Sequence, residues 1–192
     1  MNNESLEQQN EHAKKTKRYV AISLILMFML SVYVAWTMSQ NYRKEESQER
    51  YRLTSLYKES NKNEYTYDQS QGRELYQKLC MECHGDQGQG KPNRYPPLLN
   101  SQIVGGNFQI PLRIILHGQV GPIMRDDIQY NDKMPGFKKI HPQDIAHILN
   151  YIRSEFTQIQ ESIHPVEVIK TQVKTIDRKN AYTEEELNQI KE

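Results

Sequence analysis

Cysteine is nearly absent from this chain, with only two among 192 residues. The chain also has no large excess of positive or negative charge, since its formal net charge is +1. Two cysteines cannot build the disulfide framework of a small secreted protein. The near-neutral charge gives no indication of nucleic-acid binding. Apolar residues are also scarce, at 36%. A chain of this length and composition has room for one compact domain with extensions, and not for two large cores.

The scarce apolar residues are concentrated in one run, Tyr19 to Met38, "YVAISLILMFMLSVYVAWTM", which contains no charge. At about 1.5 Å per residue, a helix of this length spans roughly 30 Å, the thickness of a bilayer core. Aromatic residues lie toward its ends, as in membrane-interface belts. The run exceeds the apolar region of a signal peptide, and no Ala-x-Ala site follows it. We therefore predict a transmembrane anchor over residues 19–38, in preference to a cleaved signal or a buried core helix.

The number of positive charges on each side of this run does not decide which end of the span faces the cytoplasm. Four precede it and four follow it: Lys14, Lys15, Lys17 and Arg18, then Arg43, Lys44, Arg50 and Arg52. The first group lies closer to the run, which favours a cytoplasmic N terminus.

The rest of the chain divides by composition into four parts. Residues 1–18 are polar and are predicted to be a loose cytoplasmic tail, and residues 39–67 form a charged linker that is helical in part. Residues 68–156 form the compact domain. Residues 157–192 are a polar C-terminal extension, in which "TEEEL" resembles a capping box that opens a short helix. We interpret this extension as a surface strap or a partner contact.

Within the compact domain, three helical patterns are separated by long loops rich in glycine and proline. The first begins near Ser70 as a possible N-cap, the second contains Pro111 and ends at Gly118, and the third begins at Pro142. Three helices make a thin core for a domain of this size. A flat apolar cofactor enclosed by the loops would explain how such a chain folds.

Both cysteines lie in the motif "CMECH", with Cys80 and Cys83 three residues apart and His84 directly after them. A redox dithiol would be expected at the start of a helix in a βαβ unit, and no such alternation surrounds the motif. Structural zinc needs four ligands where the motif offers three, and a disulfide here would close only a tiny loop. The motif favours covalent haem attachment, in which Cys80 and Cys83 add to the haem vinyl groups and His84 binds the iron.

From Gln69 to Arg153 the chain resembles a class I c-type cytochrome. Gly72 stands eight residues before Cys80, with Tyr76 on the next turn, ahead of the attachment motif. The resemblance implies an all-α fold wrapped around one covalently bound haem c, here preceded by a single transmembrane helix. It also implies that Gly72 lets the first helix cross the last one closely, against Ile148 and Tyr151.

The resemblance extends to the iron ligands. "NDKMPGF" is similar to the loop that supplies the sixth ligand in this family, which would be Met134. "YPPL" is similar to the segment whose proline carbonyl accepts the Nδ1–H of the proximal histidine, which would be Pro96. Other candidate axial ligands are Met124, His117, His141, His147 and His164, and candidate contacts of the haem propionates are Arg94, Tyr130 and Lys133.

The family implies a carrier of single electrons that has no reaction of its own. The expected donor is a quinol-oxidising complex or a dehydrogenase, and the expected acceptor is a terminal oxidase or reductase. Because this kind of haem is attached outside the cytoplasm, the haem domain is expected on the periplasmic or extracytoplasmic side of the cytoplasmic membrane. The alternatives are a fixed haem subunit of a larger respiratory enzyme (an oxidase, a nitric-oxide reductase or a quinoprotein dehydrogenase) and a haem gas sensor or peroxidase.

Overall fold

The computed structural model describes residues 3–62 and 64–190, and most of them are helical. Contacts divide the chain into two units, Met1–Glu49 and Arg50–Glu192. The first helix, α1, runs from Asn3 to Ser60 and contributes to both. Its sequence contains neither glycine nor proline, the residues that cost most in a helix interior. Residues 3–18 are therefore helical, where the sequence suggested a loose tail, and the linker is helical as far as Ser60.

The predicted membrane span lies within α1. Its large apolar side chains are well exposed, from 45% at Val34 to 71% at Tyr19. By length and composition, this part of the helix could cross a membrane. A continuous exposed apolar surface of this extent is unusual for a helix in water, and it is the surface that a membrane helix presents to lipid.

The second unit is mainly helical, as predicted, and it also contains a short hairpin. Its elements in chain order are α2 (Gln69–Leu79), α3 (Met81–His84), α4 (Gln102–Gly105), α5 (Gln109–His117), β1 (Ile123–Arg125), β2 (Ile128–Tyr130), α6 (Pro142–Thr157), α7 (Pro165–Lys174) and α8 (Glu184–Asn188).

The starts of two helices test the sequence signals. α6 begins at Pro142 as predicted, and the Nδ1 of His141 accepts the N–H of Gln143 at 3.3 Å. The prediction for α2 was wrong by two residues. The cap is Asp68, whose carboxylate accepts the N–H of Ser70 at 2.9 Å, so Ser70 lies inside the first turn.

The core is built around α6. One face, with Ile145 and Leu149, packs against α5 and α7. Another, with Ile148 and Ile152, packs in the same cluster as Tyr76 of α2. Neighbouring parts of one broad apolar face of α6 thus hold the rest of the unit together.

The crossing of α2 over α6 depends on Gly72. A Cβ at this position would lie 2.6 Å from the carbonyl oxygen of His147 and 2.8 Å from the Cβ of Tyr151. Both are closer than atoms in proteins approach, and the first belongs to a helix backbone that cannot turn aside. The close approach predicted at Tyr151 is present, and the second contact is with His147 rather than Ile148.

Gly72→Ala should therefore destabilise the domain, although alanine is the better helix former. We expect a loss of about 1–3 kcal/mol in the free energy of unfolding, because the two helices must separate. Gly105→Ala is the matched control, since its Cβ would meet Thr157 at an ordinary 3.4 Å, and we expect a change within about 0.5 kcal/mol. Chemical denaturation of both variants measures this. Equal stabilities would show that the crossing does not need glycine.

The C-terminal extension is a strap whose apolar side chains enter the core. Val168 and Ile169 of α7 are 0% and 1% exposed, and Val168 packs with α5 and α6. Farther on, Tyr182 and Leu187 are buried against Ile114. The predicted capping box is present, since Thr183 and Glu186 bond each other's backbone N–H. The extension is thus part of the folded unit.

The hairpin was not predicted. β1 and β2 pair antiparallel, with Ile123 opposite Tyr130. They are joined by Asp126 and Asp127, which have φ of 49° and 63°. Two successive residues with positive φ are typical of a two-residue hairpin turn, and aspartate tolerates this conformation. The Asp-Asp pair between two short segments that each contain isoleucine is the signal that could have indicated a turn.

Candidate functional site

Cys80, Cys83 and His84 lie on the single turn that follows α2. The N–H of Cys80 donates to the carbonyl of Tyr76 at 2.8 Å, and the N–H of His84 donates to that of Cys80 at 3.0 Å. The turn ends at Gly85, whose φ of 78° favours glycine. This local geometry places both thiols and the imidazole on the wall of one cavity.

The imidazole of His84 is buried and fixed in one orientation. Its Nδ1 lies 3.2 Å from the carbonyl oxygen of Pro96. Because that carbonyl can only accept a hydrogen bond, Nδ1 carries the hydrogen and Nε2 keeps its lone pair. Burial lowers the pKa of His84, against the smaller opposing effect of the Pro96 carbonyl. The side chain is therefore held as the neutral imidazole, the form that binds metals.

Burial also decides the chemistry of the first thiol. It raises the pKa of Cys80 to about 12, and the neighbouring Cys83 adds to the shift. Redox-active cysteines need the opposite, a lowered pKa that favours the thiolate. Cys80 in this fold is therefore unsuited to a dithiol reaction.

The cavity beside this turn is deep and apolar. It has an empty volume of about 810 Å³ and adjoins a second space of about 640 Å³ with which it shares walls, both partly open to solvent. The size is in the range of small-molecule and cofactor pockets. Apolar side chains line it from four helices: Leu79, Ile103, Val104, Ile114, Ile115, Ile148, Leu149 and Ile152. Cys80, His84, Pro96 and Met134 line both spaces, and Cys83 lines the second.

Gln119 provides a separate test of whether a haem fits here. Its side chain lines the cavity and is buried, and its Nε2 has no hydrogen-bond partner among the residues that the structure describes. A buried amide donor without a partner is costly. A bound group that brings an acceptor, such as a haem propionate, would satisfy it. Together with the apolar walls, two thiols, one imidazole and one thioether, this donor fits haem c.

Met134 reaches the cavity from the loop between β2 and α6. The Met134 backbone pairs with Gln119, with N–H to oxygen distances of 3.0 and 3.1 Å. The loop then packs closely on the end of α5, where a Cβ on Gly136 would lie 2.6 Å from the carbonyl carbon of His117. Backbone pairing on one side and a close approach on the other hold the methionine in place.

The other candidate axial ligands lie away from the two spaces. Met124 is 52% exposed on β1. The four histidines have other partners: His117 bonds the hydroxyl of Thr175 at 2.7 Å, His141 caps α6, His164 caps α7, and His147 accepts the N–H of Asp68 at 3.3 Å. Burial lowers the pKa of His117 to about 4, helped by the charges of Lys138, Arg178 and Arg113.

The polar groups suggested for the propionates are only partly placed at the cavity. Lys133 lines the second space, whereas Arg94 is exposed and pairs with Asp132 at 3.0 Å. Tyr130 is buried in β2 and lines neither. The structure adds Gln119 and Arg125, which line the larger space and which sequence reasoning missed. No periodic pattern marks them, because they lie in a loop and a three-residue strand.

The part of the chain that forms this cavity is similar to known proteins. Residues 69–155 match the family model of cytochrome c. A cytochrome c-552 of Thermus thermophilus is 32% identical over 88 residues, which are 44% of this chain and 66% of that protein. A second cytochrome c-552 of the same species is also 32% identical over 88 residues, which are 59% of its length. The cytochrome c subunit of a quinone-dependent alcohol dehydrogenase from Gluconacetobacter polyoxogenes is 32% identical over 107 residues, 48% of this chain and 23% of that subunit. The chain thus spans less than two thirds of the length of each relative.

Proposed function

The chain belongs to the class I c-type cytochromes through residues 69–155, and we propose that it is a membrane-tethered carrier of single electrons. It is an electron-transfer protein with covalently bound haem c. The observation that carries the proposal is one apolar cavity whose wall holds two thiols, a neutral imidazole and a thioether. Such a site suits a redox cofactor that carries electrons.

Each site residue has a proposed role. Cys80 and Cys83 would form the thioether bonds that hold haem c, and His84 and Met134 would bind its iron. When bound in this way, haem iron supplies reversible one-electron chemistry, and a methionine ligand raises its reduction potential. The carbonyl of Pro96 keeps the Nε2 of His84 unprotonated and aimed at one position.

The walls of the cavity serve the same purpose. Ile114, Ile148 and Leu149 line the cavity with apolar surface, and they belong to tightly packed helices that resist rearrangement. A dry and rigid site keeps the energy of reorganisation on electron transfer small. Gln119 supplies the buried donor for a propionate.

We place the anchor at residues 19–38, with residues 1–18 in the cytoplasm and the haem domain on the periplasmic or extracytoplasmic side. The exposed apolar surface of α1 supports the anchor. The side follows from the attachment of this type of haem outside the cytoplasm. The proposed donors are a quinol-oxidising complex or a dehydrogenase, and the proposed acceptor is a terminal oxidase or reductase.

The tether is tested by fractionation. Washing membranes with concentrated salt should leave the full-length cytochrome bound, because an apolar span does not respond to ionic strength. A variant in which a cleavable signal peptide replaces residues 1–40 should be released as a soluble red protein. Release of the full-length protein by salt would contradict the anchor, and so would a truncated variant that stays with the membranes.

A fixed subunit of a larger enzyme is the second candidate. The observation that favours it is the likeness to a protein named as the cytochrome c subunit of a quinone-dependent alcohol dehydrogenase. Purification from native membranes in mild detergent separates the two cases. A stoichiometric complex would favour the subunit, whereas a cytochrome that purifies alone and exchanges electrons with several partners would favour the carrier.

A further inference from the structure

The segment after α7 pairs with the backbone next to Met134. The N–H of Tyr182 donates to the carbonyl of Gly118 at 3.0 Å, and the N–H of Val120 donates to the carbonyl of Tyr182 at 2.8 Å. Residues 118–120 therefore form the middle of a small ladder, with Met134 on one edge and Tyr182 on the other.

The middle of this ladder lies between two glycines. It is bounded by Gly118 and Gly121, with φ of 82° and 87°. Glycine is the residue that rotates most freely about its backbone bonds. A segment bounded by two glycines and paired along one edge alone would be a weak support for Met134. The second edge, provided by Tyr182, fixes it from the other side.

Two further contacts hold this part of the extension in place. The carboxylate of Glu184 pairs with the guanidinium of Arg125 and accepts the N–H of Met124 at 3.2 Å. The guanidinium of Arg178 lies 3.4 Å from the ring centre of Tyr182 and donates to the carbonyl of Ala181 at 3.1 Å. The extension is therefore bonded to the segment that carries Gln119 and to β1, which carries Arg125, and both of these residues line the cavity.

We propose that residues 181–184, called here the C-terminal clamp, are a positioning element that keeps Met134 on the haem iron. The proposal rests on the assignment of Met134 as the axial ligand made above. The clamp lies outside residues 69–155, the part that matches the cytochrome c family. It acts through the backbone of residues 118–120, and the Tyr182 ring belongs to the apolar cluster against which Met134 packs.

The consequence is a shift in how often the methionine leaves the iron. Loss of both backbone hydrogen bonds should raise the detached population by about tenfold or more. Carbon monoxide binds reduced iron only where a position is open. Its rate of binding therefore reports the detached population directly.

The test uses the full-length holoprotein and a chain that ends at Asn180, which keeps α7 and its buried side chains. We expect the truncated protein to retain covalent haem, to lose much of its sulfur-to-iron absorption band when oxidised, and to bind carbon monoxide about tenfold faster when reduced. An unchanged band and an unchanged rate in the truncated protein would overturn the proposal.

A pair of point variants removes the objection that truncation merely loosens the fold. Tyr182→Ala and Tyr182→Pro both lose the ring, and only the proline lacks the N–H that donates to Gly118. The band should weaken clearly more in the proline variant, whereas equal bands would contradict the clamp.

The ion pair of Glu184 with Arg125 is tested separately. Glu184→Gln should bind carbon monoxide faster than Glu185→Gln, which is the matched control because Glu185 is an exposed neighbouring residue. Equal rates would exclude a role for the Arg125 pair.

The same spectra separate this proposal from the axial assignment. If the unmodified protein already lacks the band and binds carbon monoxide rapidly, Met134 is not the ligand, and both proposals fall. If the unmodified protein has the band and the clamp variants keep it with unchanged rates, the axial assignment stands and the clamp is excluded.

Discussion

Met134→Ala should abolish the sulfur-to-iron absorption band of the oxidised protein, lower its reduction potential and let the reduced protein bind carbon monoxide. The reason is that a neutral thioether stabilises the ferrous state, and that alanine leaves one axial position open. Met134 lies on the cavity wall with its backbone paired to Gln119, so its thioether is available to the iron there. Visible spectroscopy, redox titration and flash photolysis of the carbon monoxide complex measure the three effects.

Met124→Ala is the matched control, because this methionine is exposed on β1 and lines neither part of the cavity. It should leave the spectrum, the potential and the exclusion of carbon monoxide unchanged. If Met134→Ala behaved like the control, the axial assignment would be wrong. If the iron of the unmodified protein also had an open coordination position, a gas sensor or peroxidase would become a better interpretation than an electron carrier.

The parts of this protein that sequence reasoning found are those defined by local rules. The attachment motif is recognisable because covalent chemistry needs two thiols and an imidazole at one spacing. α5 and α6 are marked by proline in their first turns and, for α5, by a glycine stop at Gly118. The Asp68 cap was missed because Ser70 offers an equally good cap two residues later, and the choice between them depends on the position of the whole helix.

The parts that were missed depend on contacts between distant residues. Tyr182 pairs with residues 118–120 more than 60 positions earlier, and no periodicity within the extension reveals this. The extension is polar on average, yet Val168 and Ile169 are buried because α7 turns its short apolar face inward. Gln119 shows the same limit for the site. Its identity as a cavity residue follows from pairing with Met134, which the sequence does not encode locally.

The apolar walls of the cavity also determine how the fold depends on its cofactor. Ile114, Ile148 and Leu149 are buried among helices, and the same side chains face the cavity. A group that fills the cavity adds dispersion contacts with these walls, which an empty cavity would lack. A covalently held group acts as a ligand at very high effective concentration, and a ligand at about a thousand times its Kd stabilises a fold by about 4 kcal/mol.

The double variant Cys80→Ala with Cys83→Ala should therefore lose both its haem and much of its stability. We expect no haem to remain with the polypeptide after denaturation, and a free energy of unfolding lower by about 4 kcal/mol or more, near the total for a small domain. Haem staining of denaturing gels and circular dichroism of the soluble domain measure the two effects. Met81→Ala, an exposed residue inside the same motif, is the control and should keep the haem. A haem-free double variant with native helix content and a sharp, unshifted unfolding transition would show that the protein core folds without the cofactor.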